Sequence, residues 1–225
     1  MIKNNVKWNN EVRSVLVVTS VEAEKQAILK GIGDDPRFHV ETIGVGPMFA
    51  AAKTAEFLHK SSYDVVVNMG VAGGFPKVAR IGDAVVASKM IAADLGAESA
   101  EGFKPIEELG FGQSSFTCDE EMAMKIVDRI NNNTDVRAYY GPILTRSMVT
   151  GTTKTLELLE NQVPGAAAEA MEGFGVCTAA QIHNIPCYEI RTISNPVGPR
   201  DRDSWKISEA LISLTGVSTI LKEVF

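Results

Sequence analysis

The chain has 225 residues, 45% of them hydrophobic, with 22 Lys and Arg against 28 Asp and Glu and a net charge of −6. That length suits one domain over 1–225 with a substantial core, burying roughly 70% of its unfolded surface, and dispersed basic residues exclude the basic stripe of a nucleic-acid binder. No apolar run approaches the ~20 residues that span a bilayer, residues 1–13 lack a signal-peptide core, and Cys118, Cys177 and Cys187 match no metal knuckle or disulfide framework, so a cytoplasmic protein with no membrane partner is expected.

Residues 15–18 form a short, uninterrupted β-branched run, the pattern of a strand buried on both faces. Thr19 or Ser20 offers a cap to a helix over 22–29. Its first turn carries Glu22 and Glu24, and acids there interact favourably with the helix N-terminus by about 0.3–1 kcal/mol whatever else they do. A strand over 38–43 closes on Gly44-Val45-Gly46-Pro47, and a helix over 48–59 follows. Phe49 stands where a dinucleotide fingerprint needs its third glycine, which rules that motif out. Residues 64–69 are a further buried strand running into a glycine-rich turn, Gly70-Val71-Ala72-Gly73-Gly74, where backbone can approach a ligand or pack tightly.

After a turn at Ile81-Gly82-Asp83, residues 84–93 are rich in β formers. Residues 95–118 lack periodicity and read as a long irregular connection, a type that is commonly functional. Helical spacing over 120–130 assigns Met122, Met124, Ile126, Val127 and Ile130 to the core. Residues 141–149 return to strand, 150–153 turn, and a helix rich in Leu and Glu follows. Past Pro164 and Gly165 the small residues of 166–182 predict a helix on which Glu169 and Glu172 share a face. At least one of those carboxylates then points into packed protein, where it needs a partner. Residues 186–194 are a strand that ends at Asn195. A last helix starts near Asp203 or Ser204 and turns Trp205, Ile207, Leu211, Leu214, Val217 and Leu221 inward.

This alternation predicts an α/β fold, a three-layer α/β/α sandwich with a mostly parallel central sheet. In such sheets ligands bind beyond the carboxyl ends of the strands, which is where Asn195 lies. Gly-x-Ser-x-Gly is absent and nothing around His39, His59 or His183 marks a nucleophilic set. No metal ligands stand at useful spacing and there is no phosphate loop, so no metal or other cofactor is expected. What remains is Glu24, the 71–74 backbone, Glu172, and Arg191 with Asn195. Carboxylates, an amide and glycine backbone suit chemistry at a neutral sugar and base better than phosphoryl transfer.

Four stretches in order, Gly70-Val71-Ala72-Gly73-Gly74, Ile81-Gly82-Asp83-Ala84-Val85-Val86, Ala170-Met171-Glu172 and Arg191-Thr192-Ile193-Ser194-Asn195, resemble the purine nucleoside phosphorylase and nucleosidase family. The resemblance spans nearly the whole chain. It implies a nucleoside substrate, a homodimer or higher homo-oligomer, and cleavage of an N-glycosidic bond. Glu24 matches the acid that activates water in the family's hydrolases, and 21–28 offers no arginine of the kind that holds phosphate in the phosphorylases. Glu172 matches the acceptor from the ribose hydroxyls, with Met171 packing on the sugar. Arg191 matches a residue that helps hold the water, and Ala72 and Gly73 approach the ligand by backbone.

Two positions depart from the adenine-cleaving nucleosidases. Asn195 replaces an aspartate that protonates N7, and an amide can donate to N7 or to a 6-oxo group but is a poor proton source. The resemblance therefore implies hypoxanthine as leaving base. Val71 replaces a serine that helps fix the water. The segment Ser194-Asn195-Pro196-Val197-Gly198-Pro199-Arg200-Asp201, followed by Trp205, further implies a substrate bearing an aromatic carboxylate, with Arg200 as its partner. The competing assignment for Arg200 is an ion pair with Asp201 or Asp203. The alternatives for the chain are a methylthioadenosine/S-adenosylhomocysteine nucleosidase that tolerates asparagine, and a nucleoside-binding protein without turnover.

Overall fold

The computed structural model describes residues 12–225, so most of the polar stretch read at 1–13 lies outside the described residues. The apolar run Val15–Thr19 is the wholly buried strand β1, followed by α1 (Glu22–Ile32), β2 (Phe38–Thr42), α2 (Pro47–Lys60), β3 (Val65–Gly74) and β4 (Ala84–Ala92). A hairpin of β5 (Gly96–Ser99) and β6 (Gly102–Pro105) comes next, then β7 (Ser115–Thr117), α3 (Glu120–Asn133) and β8 (Ala138–Thr145). The chain continues through α4 (Thr153–Gln162), β9 (Ala168–Ala170), α5 (Gly173–Ile182), β10 (Cys187–Pro196), α6 (Ile207–Thr219) and α7 (Leu221–Val224). Among the described residues no helix is long and apolar enough to cross a membrane.

Side chains alternate across the strands and feed two apolar layers. Val15, Val17, Val67 and Met69 pack with Ile28 and Ile32 of α1, Ile126 and Ile130 of α3, and Leu214 and Val217 of α6. Leu16, Val18 and Val66 pack on the opposite face with Ala50 and Leu58 of α2 and Val176 and Ala180 of α5. These are the three layers that the alternating elements predict. The sheet is mostly parallel: β1 pairs with β2 and β3, β10 with β3, and β8 with β4 and β9, all in parallel.

The sheet also closes on itself, which periodicity does not reveal. Val65–Asn68 pair with β1 on one edge, and farther along Gly73 and Gly74 pair antiparallel with β9, while β10 runs along β3 from Val66 to Gly74. With β10 antiparallel to β4, the strands β3, β10, β4, β8 and β9 form a ring. The stretch 70–74, expected as a turn, is therefore strand, paired throughout with β10 and at Gly73 and Gly74 also with β9.

Other expectations change for related reasons. The predicted helix over 166–182 is a strand and a helix: Ala168–Ala170 insert between β3 and β8, and helix α5 begins at Gly173. Alanine's helix preference gives way to pairing with β3 on one side and β8 on the other. The helical face assigned to Glu169 and Glu172 does not exist. The 95–118 connection carries a hairpin and a strand on β4. The strand expected over 141–149 starts at Ala138 and stops at Thr145, and the last helix starts at Ile207 after a 3-10 turn at Arg202–Ser204.

Candidate active site

The site is built where the ring opens past the ends of β1, β3 and β10. Helix α1 starts two residues after the apolar run, so Glu24 in its first turn folds back over backbone donors that a helix start leaves unpaired. Its Oε2 accepts from Thr19 Oγ1 at 2.7 Å, Ser20 N at 3.0 Å and Val21 N at 3.2 Å, and Oε1 accepts from Val71 N at 2.8 Å. The cap expected from Thr19 or Ser20 is thus reversed: the carboxylate accepts, and the hydroxyl of Thr19 donates to it.

Glu172 closes the next wall. Its Oε1 accepts from Gly46 N at 3.1 Å, and its Oε2 lies 3.3 Å from Arg191 Nη2. The Gly44–Pro47 turn, which fails as a dinucleotide fingerprint, has its use here. Behind Glu172, the fully buried Arg191 donates through Nε to Glu189 Oε1 at 2.8 Å, and Glu189 accepts from Asn68 Nδ2 at 3.2 Å. Burial pushes the Glu189 carboxyl above its ordinary value, and Arg191 only partly offsets this. For Arg191 burial acts downward, yet the carboxylates of Glu189, Glu172 and Glu24 together hold the guanidinium above its ordinary value.

Gly70 makes this convergence possible. A Cβ there would lie 2.6 Å from Glu24 Oε1 and 2.7 Å from Arg191 Nη1. Gly70→Ala is expected to destabilise the protein by about 1–3 kcal/mol through overpacking. A thermal melt should show the loss, and kcat should fall with it because both side chains must move.

A cavity of about 300 Å³ opens above these groups, and Glu24, Val71, Ala72, Gly73, Met171, Glu172 and Asn195 all line it. Arg191 does not: it meets Glu172 from below rather than facing the cavity. Arg200 is also absent from the lining. It is exposed at the rim, with its guanidinium 5.6 Å from the ring centre of Trp205, which does line the cavity. Among the described residues Arg200 forms no ion pair with Asp201 or Asp203 within 4.0 Å.

Further lining residues were not singled out as ligand contacts in the sequence: Val45, Val149, Thr150, Glu169, Trp205 and Ile207. Trp205 and Ile207, expected in the core, face the cavity because α6 starts later than predicted. The alternation of Glu189 and Arg191 in an apolar strand was a readable signal, since charges at i and i+2 share one face. The arrangement presents the carboxylates of Glu24 and Glu172, an amide with Glu169 two strands away, and apolar walls. It suits a ligand with a polyhydroxyl part and a flat base.

The Phosphorylase superfamily model matches residues 4–221. The futalosine hydrolase of Streptomyces coelicolor is 49% identical over 177 residues, 76% of this chain and 73% of that one. The futalosine hydrolase of Acidothermus cellulolyticus is 39% identical over 209 residues, 87% of this chain and 85% of the relative. The native structure of futalosine hydrolase of Helicobacter pylori covers 94% of this chain and 98% of its own with a TM-score of 0.80, at 19% identity, a likeness of fold. With the model matched almost end to end and relatives this similar over most of both chains, the chain belongs to the Phosphorylase superfamily, in the family of the futalosine hydrolases.

Proposed function

We propose that this chain, acting as an N-glycosyl hydrolase, cleaves futalosine to hypoxanthine and dehypoxanthine futalosine, a step in an alternative route to menaquinone. The observation that carries the reading is one cavity lined by a carboxylate fixed by four donors, Glu24, and by an amide, Asn195. Breaking the bond from C1′ to the purine leaves positive charge on the sugar and negative charge on the base, so groups that respond to those charges lower the barrier. Glu24 takes a proton from the attacking water, whose oxygen bonds to C1′ as the bond from C1′ to the purine nitrogen breaks; the base departs as its anion and takes a proton from solvent. Glu172 accepts from the ribose hydroxyls, Met171 packs on the sugar, and Arg191 holds Glu172 in place. Ala72 and Gly73 bring backbone to the ligand. Ser194 Oγ lies 2.8 Å from Asn195 Oδ1, which turns the amide NH₂ toward the base as charge develops there.

Incubation with futalosine and, separately, with methylthioadenosine tests the reading. Hypoxanthine released from futalosine without added phosphate supports it. Adenine released from methylthioadenosine with no hypoxanthine from futalosine overturns it, and binding without release would favour a non-catalytic nucleoside-binding protein.

Arg200 extends the site toward the substrate's aromatic carboxylate. Its place beside Trp205 at the rim, with no ion pair to Asp201 or Asp203 among the described residues, supports that role. Arg200→Ala is expected to raise KM for futalosine by about tenfold, the size of one charge-assisted hydrogen bond, with kcat unchanged. An unaltered KM in steady-state kinetics would remove Arg200 from recognition. A cytoplasmic location and a homodimer or higher homo-oligomer belong to the same reading. Met48 and Phe49, 71% and 66% exposed at the start of α2, supply apolar surface for a second subunit beside the cavity.

A further inference from the structure

Glu189 is wholly buried on β10, does not line the cavity, and has no part in the reaction above. Strand register sets its neighbours. Glu189 pairs with Asn68 on β3, and two residues on, on the same face, Arg191 pairs with Gly70. The missing side chain at Gly70 leaves the guanidinium room to extend toward Glu24 and Glu172 while its Nε stays on Glu189.

The Glu189 carboxyl is used one-sidedly. Oε1 accepts from Arg191 Nε at 2.8 Å and from Asn68 Nδ2 at 3.2 Å, whereas Oε2 is also buried and has no partner. A carboxylate serving mainly as counter-charge to an arginine commonly takes two parallel bonds from its fork. Here Nε goes to Glu189, and Nη2 goes instead to Glu172 Oε2 at 3.3 Å. Burial holds the Glu189 carboxyl above its ordinary value, so charge is the costly part of this side chain and Oε1 the useful part. Asn68 Oδ1 is likewise buried without a partner, an acceptor that an amide NH₂ at position 189 would suit.

A second contact ties Glu189 to the site. Helix α5 starts at Gly173, directly after Glu172, and a Cβ on Gly173 would overlap the Glu189 carboxyl. The backbone that carries Glu172 thus rests against the same group that aims Arg191.

We propose that Glu189 is a positioning residue for the glycosidic cleavage: through Arg191 and the start of α5 it fixes Glu172, and it does so by the placement of one acceptor oxygen rather than by charge. The proposal rests on the reading of Glu172 as acceptor from the ribose hydroxyls. Two substitutions separate placement from charge. Glu189→Asp keeps the charge but withdraws the oxygens by one C–C bond, ~1.5 Å, whereas Glu189→Gln keeps an oxygen in place and drops the charge. In the second variant Glu172 and Glu24 still balance Arg191.

Steady-state kinetics with futalosine and its 2′-deoxy analogue test this. Glu189→Asp is expected to lower kcat for futalosine by about 10- to 100-fold, the cost of a displacement near 1 Å, with binding of free hypoxanthine unchanged. Glu189→Gln should be the more active of the two by about tenfold. The loss in Glu189→Asp should be about fivefold smaller on the 2′-deoxy analogue, which has no 2′-hydroxyl for a displaced Glu172 to miss. An equal loss on both substrates would mean general damage and overturn the proposal, as would a Glu189→Gln no more active than Glu189→Asp. If a thermal melt shows that Glu189→Asp does not fold, Glu189→Gln decides alone. A kcat within about tenfold of the unaltered protein supports placement, and a larger loss or a failure to fold shows that charge is required and overturns it. An unaltered protein that releases no hypoxanthine from futalosine would overturn the futalosine reading itself, whereas normal release with an unaltered kcat in Glu189→Asp would overturn the Glu189 assignment alone.

Discussion

Glu24→Gln is expected to lower kcat for hypoxanthine release by about 10²–10⁴-fold, the contribution of a positioned general base, while binding of free hypoxanthine at the Asn195 end is unchanged. The carboxylate's surroundings also set a stability penalty. Oε2 serves three donors and Oε1 serves one, so the glutamine NH₂ takes the Oε1 position and meets Val71 N–H donor to donor. Leaving that buried donor unpaired costs about 1–3 kcal/mol. The variant should therefore melt lower as well as turn over slowly, and kinetics are best measured well below its melting range. Retained base binding separates loss of chemistry from loss of the site. A variant with unaltered kcat would exclude Glu24 as the base and leave the water to some other acceptor.

The sequence made the layers and most elements legible because hydrophobic periodicity reports burial directly. The strand expected at 15–18 is Val15–Thr19, and the helix expected over 48–59 is Pro47–Lys60. It failed where tertiary partners decide the local state. The alanines of 166–170 carry a helical preference, yet Ala168–Ala170 complete a ring of strands whose closure no local pattern announces. At least one of Glu169 and Glu172 was expected to be buried and to need a partner; both are buried, although the shared helical face was the wrong reason. Arg191 was read for its family role alone, and its bridging of Glu189 and Glu172 emerges only once β10 lies against β3. Arg200 shows the same limit in reverse: its nearest acids in sequence are Asp201 and Asp203, but in space it lies on Trp205.

Arg191→Met should destabilise the protein by about 3–5 kcal/mol, because it leaves the buried Glu189 and Glu172 carboxylates without their cation. In a chain of this length that corresponds to a drop in Tm on the order of 10 °C. The loss should depend on pH in a definite sense. Burial already raises Glu189 above its ordinary value of 4.5, and the two opposing influences, the charge and the hydrogen bond of Arg191, vanish in the variant. The folded state then binds a proton that the unfolded state releases, so stability is retained below the ordinary value and lost as pH rises toward the folded one. The gap in Tm between the variant and the unaltered protein should be smaller near pH 5 than at pH 8. Arg191→Lys should recover part of the stability but less of the activity, since a single ammonium cannot reach Glu189 through one nitrogen and Glu172 through another as the guanidinium does. A deficit independent of pH would mean that lost packing, rather than unpaired carboxylates, accounts for the damage, and Glu172 would then not depend on Arg191 for its position.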